Sequence, residues 1–99
     1  MTTALFHDDA QAEFDAAIAY YEEKETGLGL RLHAAVEHAI DIIRRHPRIG
    51  APYKETSLRR FVIAAFPFLL FYLHEADIVW IVAVAHSKRR PDHWAQRAE

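Results

Sequence analysis

The sequence contains no cysteine, which excludes disulfides, thiolate nucleophiles and cysteine-ligated zinc and is compatible with a reducing compartment. Only three glycines and four prolines occur among the 99 residues, which excludes a collagen-like chain and a disordered Gly/Pro-rich chain. Neither sign of charge dominates, because 12 lysines and arginines face 14 aspartates and glutamates, for a formal net charge of −2. That balance is not typical of a protein whose whole surface binds nucleic acid.

Long hydrophobic runs are missing as well. The apolar stretch Phe61–Tyr72 is too short to span a bilayer and is interrupted by Pro67. The first ten residues have neither the basic region nor the apolar region of a signal peptide. With 52% hydrophobic residues, the chain has enough apolar material for one core but too few residues for two. We therefore predict a single globular domain over residues 1–99, located in the cytoplasm.

The first half of the sequence has the pattern of two amphipathic helices. Asp8 or Asp9 is predicted as the N-cap of the first helix, because a carboxylate there accepts an unpaired amide hydrogen. Residues 26–29 contain two glycines and predict a break, and His46, which precedes a proline, predicts the end of the second helix. Apolar residues recur at helical spacing on both sides of the break: Ala10, Phe14, Ala17, Ile18 and Tyr21, and then Leu32, Val36, Ala39, Ile40 and Ile43. The two stripes predict an antiparallel hairpin with one shared buried face.

The second half has the composition of β-strands. Three segments are rich in Val, Ile, Leu, Phe and Tyr: Leu58–Phe66, Phe68–His74 and Ile78–Ala85. A brief strand is also predicted over Ala4–His7, and residues 92–98 are predicted to form a short C-terminal helical turn. The whole pattern predicts an α+β fold, in which the N-terminal antiparallel helical hairpin packs on one face of a small, mainly antiparallel sheet of three to four strands.

Strand alternation predicts which face of the sheet lies under the helices. If residues 75–77 form a three-residue loop that pairs His74 with Ile78, the odd-numbered positions of all three strands share one face. That set is wholly apolar and is predicted to pack under the helices. The even-numbered face is mixed but too apolar to be left exposed, so we expect the region of Trp94, a partner, or both to cover it.

The residues that could carry chemistry are arginines, histidines and a tyrosine. Seven histidines form no His-x-x-x-His pair and no HExxH motif, so no metal site and no cofactor are predicted, and phosphate-loop and GxSxG motifs are missing. What remains is an anion site assembled from Arg59 or Arg60, Tyr72, His74, His86 and Arg89. Such a site could bind RNA and promote attack of a 2′-hydroxyl on the adjacent phosphate, or it could bind an acidic protein surface. Residue types alone leave both alternatives open.

Several short motifs follow one another in a distinctive order. They are Tyr20-Tyr21, Arg44-Arg45-His46-Pro47-Arg48-Ile49-Gly50, Leu58-Arg59-Arg60-Phe61, Phe66-Pro67-Phe68, Phe71-Tyr72 and a His-x-x-Arg-x-Pro-x-x-Trp tail from His86 to Trp94. From about Phe6 to Arg97, this set resembles the RelE/ParE superfamily, the toxin halves of bacterial type II toxin–antitoxin modules, often labelled plasmid stabilisation proteins. The resemblance implies two helices packed on an antiparallel sheet, in agreement with the prediction from the residues.

The resemblance also implies a cognate antitoxin that wraps the protein and silences it, so that the toxin touches DNA only through its partner. An acidic or amphipathic antitoxin segment would bind to the arginine clusters and to the even-numbered face of the sheet. Residues expected to bind the antitoxin or the target are Arg59, Arg60, Tyr72, His74, Trp80, His86, Arg89, Arg90 and Trp94.

The superfamily divides by cellular target. RelE-like members cut messenger RNA in the ribosome with basic residues and often a late Tyr or His, whereas ParE-like members act on DNA gyrase. This sequence is thin in central basic residues and has Trp94 where a late Tyr would stand, so we expect a ParE-like growth inhibitor that binds gyrase. The alternatives are a ribosome-dependent endoribonuclease, with Arg60 and Arg89 on the phosphate and His86 as acid or base, and an inert antitoxin-binding relative.

Overall fold

A computed structural model describes residues 2–87 of the chain. Two helices pack on one face of a five-stranded sheet, and the element order is β1 (Thr3–Phe6), α1 (Asp8–Lys24), α2 (Leu28–Arg45), β2 (Ala51–Pro52), β3 (Arg59–Val62), β4 (Phe68–Glu75) and β5 (Ile78–His86). The α+β architecture and the N-terminal helical hairpin predicted from the sequence are confirmed. The predicted C-terminal helical turn lies outside the described residues.

The helical hairpin is capped differently from the prediction. The Nδ1 of His7 accepts a hydrogen bond from the amide of Asp9 at 3.2 Å, so an imidazole does the capping that we assigned to a carboxylate. The predicted break is confirmed at Gly27, whose φ of 90° suits a residue without a Cβ. The Glu22 carboxylate accepts hydrogen bonds from the amides of Gly27 and Gly29 at 2.9 and 3.0 Å, which satisfies donors at the start of α2.

Both predicted apolar stripes lie between the helices and the sheet. The buried helix residues are Ala10, Phe14, Ala17, Leu32, Val36, Ala39, Ile40 and Ile43. Tyr21 is partly buried and meets Phe66 and Phe68 edge-on, with ring centroids 5.6 and 6.0 Å apart. Each fully buried large aliphatic side chain stabilises the fold by about 1.5–3 kcal/mol, so this layer holds the hairpin on the sheet.

The sheet is larger and more mixed than the predicted three to four mainly antiparallel strands. Its order is β1-β5-β4-β3-β2, with β1 parallel to β5 and the other neighbours antiparallel. The two-residue β2 was not predicted, because two residues are too few to show alternation. β3 is shorter than the predicted Leu58–Phe66, since the chain turns after it, with Ala65 at a positive φ of 70° ahead of Pro67.

The predicted assignment of sheet faces is wrong for β4 and for part of β5. The turn between these strands has two residues, Ala76 and Asp77. Glu75 pairs with Ile78, whereas we predicted that His74 would pair with Ile78 across a three-residue loop. This one-residue slip turns the even positions of β4 toward the helices. A bulge at Val82 then reverses the alternation of β5, since Phe71 pairs with Ala83 and Tyr72 with Ile81. The helix-facing side of these strands therefore consists of Phe68, Leu70, Tyr72, Val79, Ile81 and Val84.

The opposite side of the sheet, called the outer face below, has its own apolar cluster. Its central residues Phe71, Val82, Ala83 and Ala85 are at most 6% exposed, and partly buried Leu69, Leu73 and Trp80 surround them. Tyr53 and Leu58, from the segment between β2 and β3, pack onto this cluster. Part of the cover that we expected from the Trp94 region or a partner thus comes from residues 53–58, and Trp94 itself lies outside the described residues.

Candidate functional site

Tyr72 and Arg59 act together inside the molecule. They pair across β4 and β3 on the helix-facing side, next to the turn that joins α2 to β2. The Tyr72 hydroxyl accepts a hydrogen bond from the amide of Gly50 at 2.9 Å and donates one to the carbonyl of Pro47 at 2.7 Å. Arg59 Nη1 donates to the carbonyls of Gly50 at 2.7 Å and Arg48 at 3.2 Å. Two residues that we predicted for an anion site therefore hold a turn of their own chain.

Burial raises the pKa of Tyr72 above its ordinary value of 10.0, and two neighbours oppose that shift. The hydrogen bond from the Gly50 amide and the positive charge of Arg59 both favour the phenolate and lower the pKa. Because the side chain is fully buried and its hydroxyl is already bonded, Tyr72 is not available to bind a partner at the surface.

Arg60 and Trp80 are brought to the outer face. Arg60 is exposed beside Phe71, its partner on β4, and is not tied to a carboxylate among residues 2–87. Trp80 is half-buried against the apolar cluster of the same face. Val62, two residues after Arg60, is 67% exposed and adds an apolar side chain to this surface. A cation, an aromatic ring and an aliphatic side chain on one face are typical of a protein-binding surface.

The two histidines predicted for the site lie at opposite ends of the paired strands β4 and β5. His74 is exposed at the end of the strand, where it pairs with Val79. His86 ends β5, is half-buried, and packs edge-on against Phe68 with ring centroids 5.5 Å apart. Because Phe68 belongs to the helix-facing cluster, His86 lies on the side of the sheet opposite to Arg60.

The residues named for a nuclease do not converge in the part of the chain that the structure describes. Arg60 on β3 and His86 on β5 flank β4, which places the strands about 10 Å apart. Their partners on β4, Phe71 and Phe68, are separated by three positions, or about another 10 Å along the strand. A general acid or base must lie within hydrogen-bond reach of the reacting group, and these two side chains point to opposite faces. Arg89, Arg90 and Trp94 lie outside the described residues.

Residues 44–60 form a basic segment that was not predicted as a unit. This segment holds six of the 12 basic residues and one of the 14 acidic residues, a balance of 6 − 1 = +5. It runs from the end of α2 through β2 into β3 at one edge of the sheet. Its exposed members include Arg48 and Ile49, which belong to the motif that carried the family resemblance but were not weighed as site residues.

Among residues 2–87, no group of three or more His, Asp or Glu side chains is placed to hold a metal ion. Neither α1 nor α2 is long and apolar enough to cross a membrane.

Residues 2–87 define a small α+β domain with two helices on one face of a five-stranded sheet. Comparison with protein families matches residues 4–91 to the ParE toxin of the type II toxin–antitoxin system parDE. Because the match covers most of the 99 residues, the chain belongs to the ParE toxin family.

A solved structure shares this fold. It is described as "Chromosomal ParDE TA system from P. aeruginosa", and it superposes with a TM-score of 0.65 at 15% sequence identity. The similarity covers 89% of this chain and 98% of the other, so both proteins have the same architecture over nearly their whole lengths. A comparison with curated proteins gave no match.

Proposed function

We propose that this protein is the toxin of a toxin–antitoxin module, that a cognate antitoxin neutralises it, and that the free toxin binds and inhibits DNA gyrase. Membership of the ParE toxin family supports the first part. Both proposed partners are cytoplasmic, so we also assign the protein to the cytoplasm.

The separation of Arg60 from His86 is the observation that favours protein binding over RNA cleavage. Cleavage through a 2′-hydroxyl needs a proton-transfer group and a phosphate-binding arginine around one reacting phosphate. Arg60 and His86 lie on opposite faces of the sheet and on different strands. Binding to a protein needs no such convergence, because one exposed face with an arginine and an aromatic anchor is sufficient.

The outer face supplies the candidate contacts. Arg60, Val62 and Trp80 offer charge, apolar area and an aromatic ring on one side of β3, β4 and β5. We assign Arg60 and Trp80 to contact with the target or the antitoxin. We also assign the exposed His74 to such a contact, although it lies at the end of β4 on the helix-facing side. Tyr72 and Arg59 contribute indirectly, by holding the turn from 47 to 50.

A supercoiling assay tests the target. Purified protein added to gyrase from the host in which it arrests growth should block the supercoiling of relaxed plasmid in proportion to dose. Arg60→Glu should weaken inhibition, while Arg31→Glu on the exposed surface of α2 should leave it unchanged. Full supercoiling activity at a large molar excess of folded toxin would disprove gyrase as the target.

Induction in cells separates the remaining possibilities. Growth arrest that is relieved by co-expression of the adjacent reading frame would support a toxin–antitoxin pair. Arrest accompanied by new message ends in primer extension would instead indicate the endoribonuclease. Overexpression without any growth defect would indicate an inert antitoxin-binding relative.

A further inference from the structure

The turn from 47 to 50, between α2 and β2, is unusually well fixed for an exposed connection. Its carbonyls at Pro47, Arg48 and Gly50 and its amide at Gly50 are all bonded by the side chains of Tyr72 and Arg59. Gly50 permits this close approach, because a Cβ there would lie 2.7 Å from the Tyr72 hydroxyl oxygen. Such packing fixes the backbone of the turn in one conformation.

The side chains that this turn carries outward have no role in the core. Arg48 is exposed and pairs with no carboxylate among the described residues, and Ile49 is 48% exposed. Neither residue belongs to the two apolar clusters of the protein. A fixed backbone therefore presents, side by side at the surface, an aliphatic side chain and a guanidinium that has no carboxylate partner within residues 2–87.

The surroundings of the turn are strongly positive. Arg60 lies on β3, the strand next to the turn, and its carbonyl oxygen would be 2.8 Å from a Cβ placed on Gly50. The segment 44–60 has a charge balance of +5, and Glu55 is its single acidic residue. Asp41 pairs with Arg44 and Arg45 at the start of this segment, whereas Arg48 and Arg60 have no such carboxylate partner among residues 2–87. By contrast, α1 has six acidic residues and one lysine, so the basic residues of the described part of the chain are concentrated at this edge.

We propose that the turn from 47 to 50 is a preformed docking surface, on which Arg48 and Ile49 bind a carboxylate and an adjacent apolar side chain of the antitoxin. This inference rests on the proposed function, because it takes the antitoxin as the partner. The exposed isoleucine favours a protein over a nucleic acid, since a phosphate backbone offers it no apolar contact. Fixing the turn before binding reduces the ordering cost of association, which is the advantage of holding it with two buried side chains.

Three variants test the surface. Arg48→Glu reverses the charge and Ile49→Ser removes the apolar contact, and both positions are exposed enough to leave folding intact. Arg31→Glu is the control, because it reverses an exposed arginine at the other end of α2. Circular dichroism and thermal unfolding would verify that all three variants fold like the parent protein.

The measurement is the Kd for the purified product of the adjacent reading frame, by titration calorimetry at two salt concentrations. Arg48→Glu should weaken binding by about tenfold or more, and the loss should shrink at high salt. Ile49→Ser should weaken binding by about threefold at both salt concentrations, because its contribution is not ionic. The Kd of Arg31→Glu should be unchanged.

Several outcomes would overturn the inference. Unchanged affinity in Arg48→Glu and Ile49→Ser, with the wild type binding tightly, would reject this surface and leave the proposed function intact. Equal losses in Arg48→Glu and Arg31→Glu would show an effect of net charge and not of a site. If wild-type protein does not bind the neighbouring product but binds a 20-base-pair DNA duplex through Arg48, the surface recognises nucleic acid, and the proposed antitoxin partnership fails with the inference.

Discussion

At the scale of single residues, the most informative side chain is Tyr72. It is a site candidate when the sequence is considered alone, because a tyrosine among arginines and histidines suits anion binding or RNA stacking. In the fold it is fully buried and bonded to Gly50 and Pro47, so its role is to shape the surface from inside. Replacement of Tyr72 should therefore lower the free energy of unfolding, and it should affect partner binding only through that change in the fold.

Tyr72→Phe should destabilise the protein by about 1–3 kcal/mol, because the Gly50 amide and the Pro47 carbonyl lose their partner. Urea unfolding followed by circular dichroism would give the free energy of unfolding. Tyr20→Phe is the matched control, since Tyr20 is 56% exposed and its loss should cost less than about 0.5 kcal/mol. Equal stabilities of wild type and Tyr72→Phe would contradict the role given to the hydroxyl.

The same hydroxyl predicts a pH dependence. Because burial raises the pKa of Tyr72 in the folded protein, the neutral phenol is favoured by folding. The stabilisation from Tyr72 is therefore fully present below its unfolded pKa of 10.0 and is lost as the pH rises through the folded value. The stability difference between wild type and Tyr72→Phe should accordingly stay constant below pH 10.0 and shrink as the pH rises above that value. A difference that grows over this range would have the wrong sign.

At the scale of elements, the bulge in β5 decides which residues reach each face. Val82 is inserted opposite the step from Phe71 to Tyr72, so Val82 and Ala83 both lie on the outer face. Two residues after the bulge, the Val84 amide donates a hydrogen bond to a side chain, the Glu13 Oε1 on α1, at 3.1 Å. A helix carboxylate thus satisfies a donor of the irregular strand and links α1 to the sheet.

Glu13→Ala should destabilise the protein by about 1–3 kcal/mol, because the Val84 amide is left without this partly buried acceptor. Glu13→Gln keeps an oxygen acceptor and should recover most of the loss. Chemical denaturation of the three proteins would measure the effect, with Glu23→Ala on the exposed side of α1 as the control. Slower amide exchange at Val84 in Glu13→Ala than in wild type would refute the assignment.

At the scale of the whole molecule, charge and apolar surface are distributed unevenly. Acidic residues cover α1, basic residues occupy the segment 44–60, and the outer face combines Arg60, Val62 and Trp80. A small domain with this asymmetry can engage an acidic partner despite a net charge of −2, because local potential governs association.

His86→Ala separates binding from catalysis at this scale. If the protein acts by binding, the variant should still arrest growth on induction, since His86 lies on the helix-facing side away from Arg60 and Trp80. Arg60→Glu should reduce the arrest at equal protein level. Growth curves with quantified expression provide the measurement. Loss of toxicity in His86→Ala, with folding and antitoxin binding retained, would point back to a nuclease.

Local patterns in the sequence were enough to predict the helical hairpin, its buried stripes and the strand-rich second half, and the order of the short motifs carried the resemblance to the family. Helical spacing depends only on neighbours three and four positions away, so Phe14 and Val36 could be placed without coordinates. Long-range contacts set the parallel pairing of β1, the bulge at Val82 and the burial of Tyr72, because each depends on pairing between distant segments. A one-residue change in a turn exchanges the two faces of a strand, and no local pattern reveals that choice. The exposed positions of Arg48 and Ile49 likewise follow from contacts that Tyr72 and Arg59 make across the fold.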